Sequence, residues 1–188
     1  MKLILLDRDG VICRFRPGDY AKTWEEFEFL PGSINALKKF NQAGYSIVIA
    51  SNQAGVGKGI YSQAALEEIT RKMLEVLTDH GVHIAQVFYC VHTDEDNCPC
   101  RKPKPGMLLR AAEELQLPDL RRTFFIGDAS TDVEAGKNAG ARTILVLSGK
   151  TRSPEETASW SVQPDFIAHN LSEAVEIVLR EEGGNGRI

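Results

Sequence analysis

The stretch Leu3-Ile4-Leu5-Leu6-Asp7-Arg8-Asp9-Gly10 decides the fold. Four apolar residues in a row read as a buried strand. Two carboxylates, one residue apart, follow at its C-terminal end, and then a glycine. In an open α/β sheet, that end is where ligands bind. A carboxylate there can act as a nucleophile, a metal ligand or a general acid/base. The two-residue spacing offers Asp7 and Asp9 to one small volume.

Working outward, the chain alternates short apolar runs with helical patterns. Strands are expected at residues 2–6, 45–50, 85–89, 123–126 and 142–147, with an edge strand at 165–168. Helices are expected between them, at 32–43, 62–80, 105–116 and 131–139, with a last one at 171–181. Leu66, Ile69, Met73, Leu74 and Leu77 recur at helical spacing, which predicts a core-facing stripe. Gly44, Gly81 and Gly140 stand just after three of these helices, where a left-handed C-terminal cap favours glycine. The alternation predicts an α/β fold, a doubly wound parallel sheet with right-handed crossovers. No insertion is long enough for a large cap domain. One domain over residues 1–182 and a disordered tail over 183–188 are expected. Residues 11–29 form the longest segment without periodicity, and such loops are usually functional. Trp24, Phe27 and Phe29 are expected to pack that loop.

The 188 residues suffice for one domain with a proper core, and 43% hydrophobic with 26% charged residues suits a soluble globular chain. The net charge of −4 argues against a nucleic-acid binder. No apolar run approaches the roughly 20 residues of a membrane span, and no secretory signal pattern is seen. The expectation is a cytoplasmic monomer with no membrane or nucleic-acid partner. Three of the four cysteines, Cys90, Cys98 and Cys100, cluster with His92, which in such a protein points to a metal site before a disulfide. Cys13 stands apart and reads as a bystander.

Four strand ends carry polar residues that belong along one sheet edge: Asp7/Asp9, Ser51-Asn52-Gln53, Arg101-Lys102, and Gly127-Asp128 with Asp132. Phosphate monoesters are anionic and resist attack by an anion. Their hydrolysis needs positive charge and positioning. Asp7 and Asp128 with a backbone carbonyl suit Mg²⁺, a hard ion that keeps waters in its remaining positions. Lys102 would add a second positive charge, and Ser51 would bind a phosphoryl oxygen. Three thiolates and one imidazole, Cys90-x-His92-x₅-Cys98-x-Cys100, satisfy tetrahedral Zn²⁺ with no open position, so that site reads as structural. Arg101 has the planar fork suited to a further anionic group.

These four ordered segments resemble the haloacid dehalogenase superfamily of phosphatases, over nearly the whole chain. The resemblance implies that Asp7 forms an aspartyl-phosphate. It implies that Asp9 protonates the leaving alcohol, later activates water, and gives its backbone carbonyl to Mg²⁺. Asp132 would orient Lys102 or a metal-bound water. Residues 20–29, the run Ser51-Asn52-Gln53-Ala54-Gly55-Val56-Gly57-Lys58-Gly59 and the run Cys100-Arg101-Lys102-Pro103-Lys104-Pro105-Gly106-Met107 resemble the zinc-loop subgroup that acts on heptose bisphosphates and histidinol phosphate. On this resemblance Tyr20, Asn52, Gln53, Ala54 and Arg101 are expected to bind substrate. The substrate expected is a small phosphorylated metabolite, a heptose bisphosphate losing its 7-phosphate for cell-surface glycan synthesis. Histidinol phosphate is the alternative, since the zinc-loop spacing is the short form. A nucleic-acid 3′-phosphatase and a non-catalytic zinc-binding module are the further alternatives. Two departures stand out: Val11 replaces a threonine, and Ala129 stands where a lysine is common. Lys58, Arg14 and Arg16 are candidates to supply the missing charge.

Overall fold

Ile4, Leu5 and Leu6 have no exposed surface, because β1 (Lys2–Leu6) lies at the centre of the sheet. The computed structural model describes residues 1–184. Its strands β2 (Tyr45–Asn52), β3 (Gln86–Cys90), β4 (Phe124–Gly127), β5 (Arg142–Val146) and β6 (Phe166–Ala168) pair in parallel with β1 in the order β3-β2-β1-β4-β5-β6. The doubly wound parallel sheet expected from the sequence is the fold. The order reverses between β1 and β4, and at such a switch point the loops part and leave a crevice.

Alternate residues of β1 serve the two faces of the sheet. Ile4 and Leu6 join Ile47, Ile49 and Ile126 in one core. That face is covered by α1 (Ser33–Gln42), α3 (Gln63–Asp79) and α6 (Leu171–Gly184), through residues such as Phe40, Met73 and Val178. Leu3 and Leu5 join Val48, Ala50 and Phe125 on the other face, under α4 (Gly106–Glu114) and α5 (Ser130–Asn138). The stripe Leu66, Ile69, Met73 and Leu77 is buried as its spacing predicts. Gly44, Gly81 and Gly140 adopt φ of 82°, 76° and 78°, as the helix ends require.

Most element ends fall within two residues of expectation. The differences lie at the site. β2 runs on to Asn52, so Ser51 and Asn52 are strand residues, and Cys90 closes β3. A single turn of helix, α2 (Ala54–Gly57), carries no sequence signal because four residues are too few for periodicity. α6 runs to Gly184, two residues into the expected tail, and residues 185–188 lie outside the described residues.

The long segment after β1 folds back on itself. Arg14 N donates to Glu28 O at 2.8 Å and Leu30 N to Ile12 O at 3.0 Å. Its base is apolar: Trp24 stacks on Phe27 at 5.2 Å, and Phe27 meets Phe29 edge-on at 5.1 Å. The aromatic residues pack the loop, as expected, and its tip reaches over the C-terminal edge of the sheet.

Candidate active site

Asp7 is the first residue beyond β1, and its N–H donates to Ile126 O of β4 at 2.9 Å. Asp128 follows β4 directly, so the switch point brings the two carboxylates together. Asp7, Asp128 and Asp132 place carboxylate oxygens within 4.8 Å of one another, all buried. Asp132 opens α5, where its Oδ2 accepts from the N–H groups of Asp128 and Ala129 at 3.1 and 3.0 Å. That is the favoured place for a carboxylate on a helix.

Lys102 enters this group from the loop after β3 and is 3% exposed. Its Nζ lies 2.9 Å from Asp7 Oδ2 and 2.7 Å from Asp132 Oδ1, and donates to Ala50 O at 3.0 Å. Those partners use the three ammonium donors. Burial works against the Lys102 charge, but Asp132 and Asp7 outweigh it and hold the ammonium above its ordinary pKa. Burial pushes Asp7 up to about 6, with Lys102 opposing and Asp132 and Asp9 adding to the rise. Burial, Asp132 and Asp7 raise Asp128 well above the carboxylate range. Three carboxylates thus share one ammonium, an imbalance that a divalent cation on hard oxygen ligands would correct.

Asp128 is also sterically cradled. A Cβ on Gly10 or on Gly149 would lie 2.0 Å from its Oδ2. Lys150 N donates to that oxygen at 2.6 Å, and Ser148 Oγ donates to Gly10 O at 2.7 Å. The loop after β5 therefore locks the two carboxylate-bearing turns together. Nothing in the residue types of 148–150 signals this, since glycine and lysine after a strand are ordinary loop composition.

A cavity of about 150 Å³ opens beside these groups, with Asp7, Asp9, Ser51, Lys102, Asp128 and Asp132 on its floor. This is below the roughly 300 Å³ of a typical drug-sized site, so it admits one end of a small substrate. Arg14, Phe15, Arg16 and Tyr20 reach over it from the long loop, and Ala129, Thr131 and Lys150 form the other rim. Of the three cations proposed to offset Ala129, Arg14 and Arg16 line the cavity and Lys58 does not. Lys150, which the sequence reading passed over, stands on the same rim as Ala129.

The expected substrate contacts divide. Tyr20 lines the cavity. Asn52 lines it too, but its amide clamps the Lys102 backbone, accepting from Lys102 N and donating to Lys102 O, both at 3.1 Å. Gln53 and Ala54 are buried at 0% and 3% exposure and do not line the cavity. The Gln53 amide donates to Asp9 Oδ2 at 2.6 Å. Arg101 directs its Nε to Asp94 Oδ1 at 2.6 Å and lines a neighbouring depression with Lys104. Cys13 is buried, with its thiol 3.3 Å from Asp9 Oδ1.

Cys90, His92, Cys98 and Cys100 meet as their spacing predicts, with sulfur separations of 3.2 to 3.6 Å and His92 Nδ1 3.3 Å from Cys100 Sγ. All four cysteines are free thiols. Zn–S bonds of about 2.3 Å imply tetrahedral ligand separations of about 3.8 Å, slightly wider than those here, so the donor set suits that ion. Burial raises the Cys98 thiol, but hydrogen bonds from Cys100 and the Arg101 N–H prevail and lower it to about 7. The cluster ends one residue before Arg101 and two before Lys102, so it anchors the loop that carries the buried lysine.

Comparison with known proteins places this arrangement. A HAD-hydrolase-like family model matches residues 99–174. The D-glycero-beta-D-manno-heptose-1,7-bisphosphate 7-phosphatase of Pasteurella multocida is 40% identical over 184 residues, covering 94% of this chain and 96% of that protein. The enzyme of the same name from Pseudomonas putida is 40% identical over 150 residues, covering 80% and 85%. The crystal structure of the D,D-heptose 1,7-bisphosphate phosphatase of Bordetella bronchiseptica, complexed with magnesium and phosphate, superimposes with a TM-score of 0.90 at 34% identity, covering 96% of this chain and 99% of that one. The fold and these relatives define the class: this is a HAD-like phosphatase. Within that class, the chain belongs to the family of D-glycero-beta-D-manno-heptose-1,7-bisphosphate 7-phosphatases. No helix among the described residues is long and apolar enough to cross a membrane.

Proposed function

We propose that this phosphatase removes the 7-phosphate of D-glycero-D-manno-heptose 1,7-bisphosphate through an aspartyl-phosphate on Asp7. The observation that carries the reading is the buried Lys102 bridging Asp7 and Asp132 beside Asp128, in a chain whose full-length relatives bear this activity in their names. The fit of magnesium is supported by the crowded carboxylates and by the magnesium and phosphate complex of the Bordetella structure. Asp7, Asp128 and the Asp9 carbonyl would hold that ion, which when bound neutralises phosphoryl charge near the nucleophile.

An Asp7 carboxylate oxygen attacks phosphorus while the bond to the sugar oxygen breaks. Asp9 delivers its proton to that leaving oxygen. Asp9 then takes a proton from the water that attacks the aspartyl-phosphate, the acyl-phosphate P–O bond breaks, and phosphate and free Asp7 result. Lys102 and Ser51 stabilise the phosphoryl oxygens, and Asp132 holds Lys102 in place. Arg16, Tyr20 and Lys150 line the cavity where the rest of the substrate would lie and a second phosphate needs cations, as does Arg14, whose guanidinium is paired with Glu28 at 2.7 and 2.8 Å. Cys90, His92, Cys98 and Cys100 would hold Zn²⁺ as a structural ion.

Two measurements test this. Asp7→Asn should abolish turnover, because a carboxamide is a poor nucleophile; wild-type rates in that variant reject the mechanism. The kcat/KM values for both heptose bisphosphate anomers and for histidinol phosphate, compared side by side, test the substrate. Preference for histidinol phosphate, or equal rates on all three, rejects the heptose assignment.

A further inference from the structure

Arg8 is a buried cation that the phosphoryl chemistry above does not use. It is 1% exposed, and its Cζ lies 5.5 Å from the Tyr89 ring and 5.9 Å from the Phe27 ring. Its Nε and Nη1 have no hydrogen-bond partner among the described residues. Only Nη2 is engaged, reaching both Asp9 oxygens at 3.1 and 3.0 Å and Gln53 Oε1 at 2.9 Å. Burying a guanidinium is unfavourable, and an apolar side chain of similar length would serve stability at least as well. What an apolar side chain could not do is hold the Asp9 carboxylate.

Gln53 completes the hold. Its Oε1 accepts from Tyr61 Oη at 2.6 Å as well as from Arg8. Two donors on one oxygen decide which end of the amide is which. Nε2 must then face Asp9 Oδ2, at 2.6 Å, and Ser51 Oγ, at 3.2 Å. Cys13 adds a thiol on the other Asp9 oxygen. Both Asp9 oxygens are therefore held from behind, while the side chain stays 25% exposed on the cavity floor. Tyr61 is itself buried and does not line the cavity: its ring packs on Tyr20 at 5.7 Å, and its hydroxyl reaches Asp9 through Gln53.

We infer that Arg8, Gln53 and Tyr61 are positioning residues, a buried network that holds the Asp9 carboxylate where it exchanges a proton with the leaving oxygen. The inference rests on the acid/base role proposed for Asp9. A carboxylate free to turn about two side-chain bonds would meet the leaving oxygen only part of the time, and such misplacement is costly to a rate.

The test separates proton delivery from the rest of the reaction by varying the leaving group. With Mg²⁺ present, kcat/KM is measured on heptose bisphosphate, whose alkoxide needs a proton to leave, and on 4-nitrophenyl phosphate, whose phenolate does not. Asp9→Asn should lose roughly 10²- to 10⁴-fold on the first and far less on the second. Gln53→Met should repeat that selective loss at about 10-fold or more, and Tyr61→Phe at a smaller factor of about 3. Tyr61→Phe removes one hydroxyl and keeps the ring, so it decides the question if Gln53→Met does not fold. Equal losses on both substrates, or none, in Gln53→Met and Tyr61→Phe overturn the inference if Asp9→Asn remains selective. If Asp9→Asn itself shows no selectivity, the acid/base reading is what fails.

Discussion

The side-chain amide of Asn52 closes a two-way clamp on the backbone of Lys102, with both hydrogen bonds at 3.1 Å. The clamp ties the end of β2 to the loop after β3, across fifty residues of sequence. Asn52→Asp keeps the shape but turns the donor to Lys102 O into a second acceptor. We expect kcat to fall about 10- to 100-fold, because Lys102 loses its register beside Asp7. A kcat within twofold of wild type would show that the clamp is not needed to position Lys102.

Gly149 and Asp128 make the second prediction. A methyl group at 149 would lie 2.0 Å from Asp128 Oδ2 and 2.6 Å from the Gly10 Cα, and backbone cannot swing away. Gly149→Ala should therefore displace Asp128 and raise the Mg²⁺ concentration for half-maximal activity by roughly 10- to 100-fold. The stability loss from overpacking should be about 1–3 kcal/mol. An unchanged Mg²⁺ requirement in the folded variant would mean that Asp128 does not bind the ion.

The two acid-bearing strand ends were legible because an apolar run terminated by carboxylates is a local pattern, as Leu3–Asp9 and Phe124–Asp128 both are. The metal-ligand cluster was legible for the same reason, since its four ligands fall within eleven residues. Gln53, Tyr61, Gly149 and Lys150 were not legible in their roles. Each acts through a contact set by tertiary packing, such as Gln53 with Asp9, forty-four residues apart. Gln53 sits in a glycine-rich, ligand-like run, and only its burial shows that it lies behind the cavity floor. One local signal did exist: Arg8 stands between two acids at the end of a buried strand, and a cation there has to find a buried partner.

Removal of zinc should act through order in the loop, not through the chemistry. Cys98→Ser, or treatment with a strong chelator, should lower the zinc content from one per chain and reduce Tm by several degrees. Activity should fall along with it, because Lys102 follows Cys100 by two residues. Full activity and an unchanged Tm in a zinc-free sample would remove the structural role assigned to Cys90, His92, Cys98 and Cys100.

The pH dependence of the metal-free protein follows from Asp7. Its folded pKa is raised from 3.8 to about 6, chiefly by burial. A carboxyl group raised on folding favours the fold while protonated. That contribution is complete below about pH 4 and is lost as pH rises through about 6. It amounts to roughly 3 kcal/mol at most, at about 1.4 kcal/mol for each pKa unit. Asp128, raised in the same direction, adds to the effect. Mg²⁺ needs these groups ionised, so its stabilisation should grow across the same window, with protons released on binding. We expect the rise in Tm on adding Mg²⁺ to be small near about pH 5 and several degrees larger near about pH 7.5. Asp7→Asn should flatten the difference. Equal Mg²⁺ shifts at both pH values in the wild type would show that Asp7 and Asp128 already carry their charges in the metal-free fold.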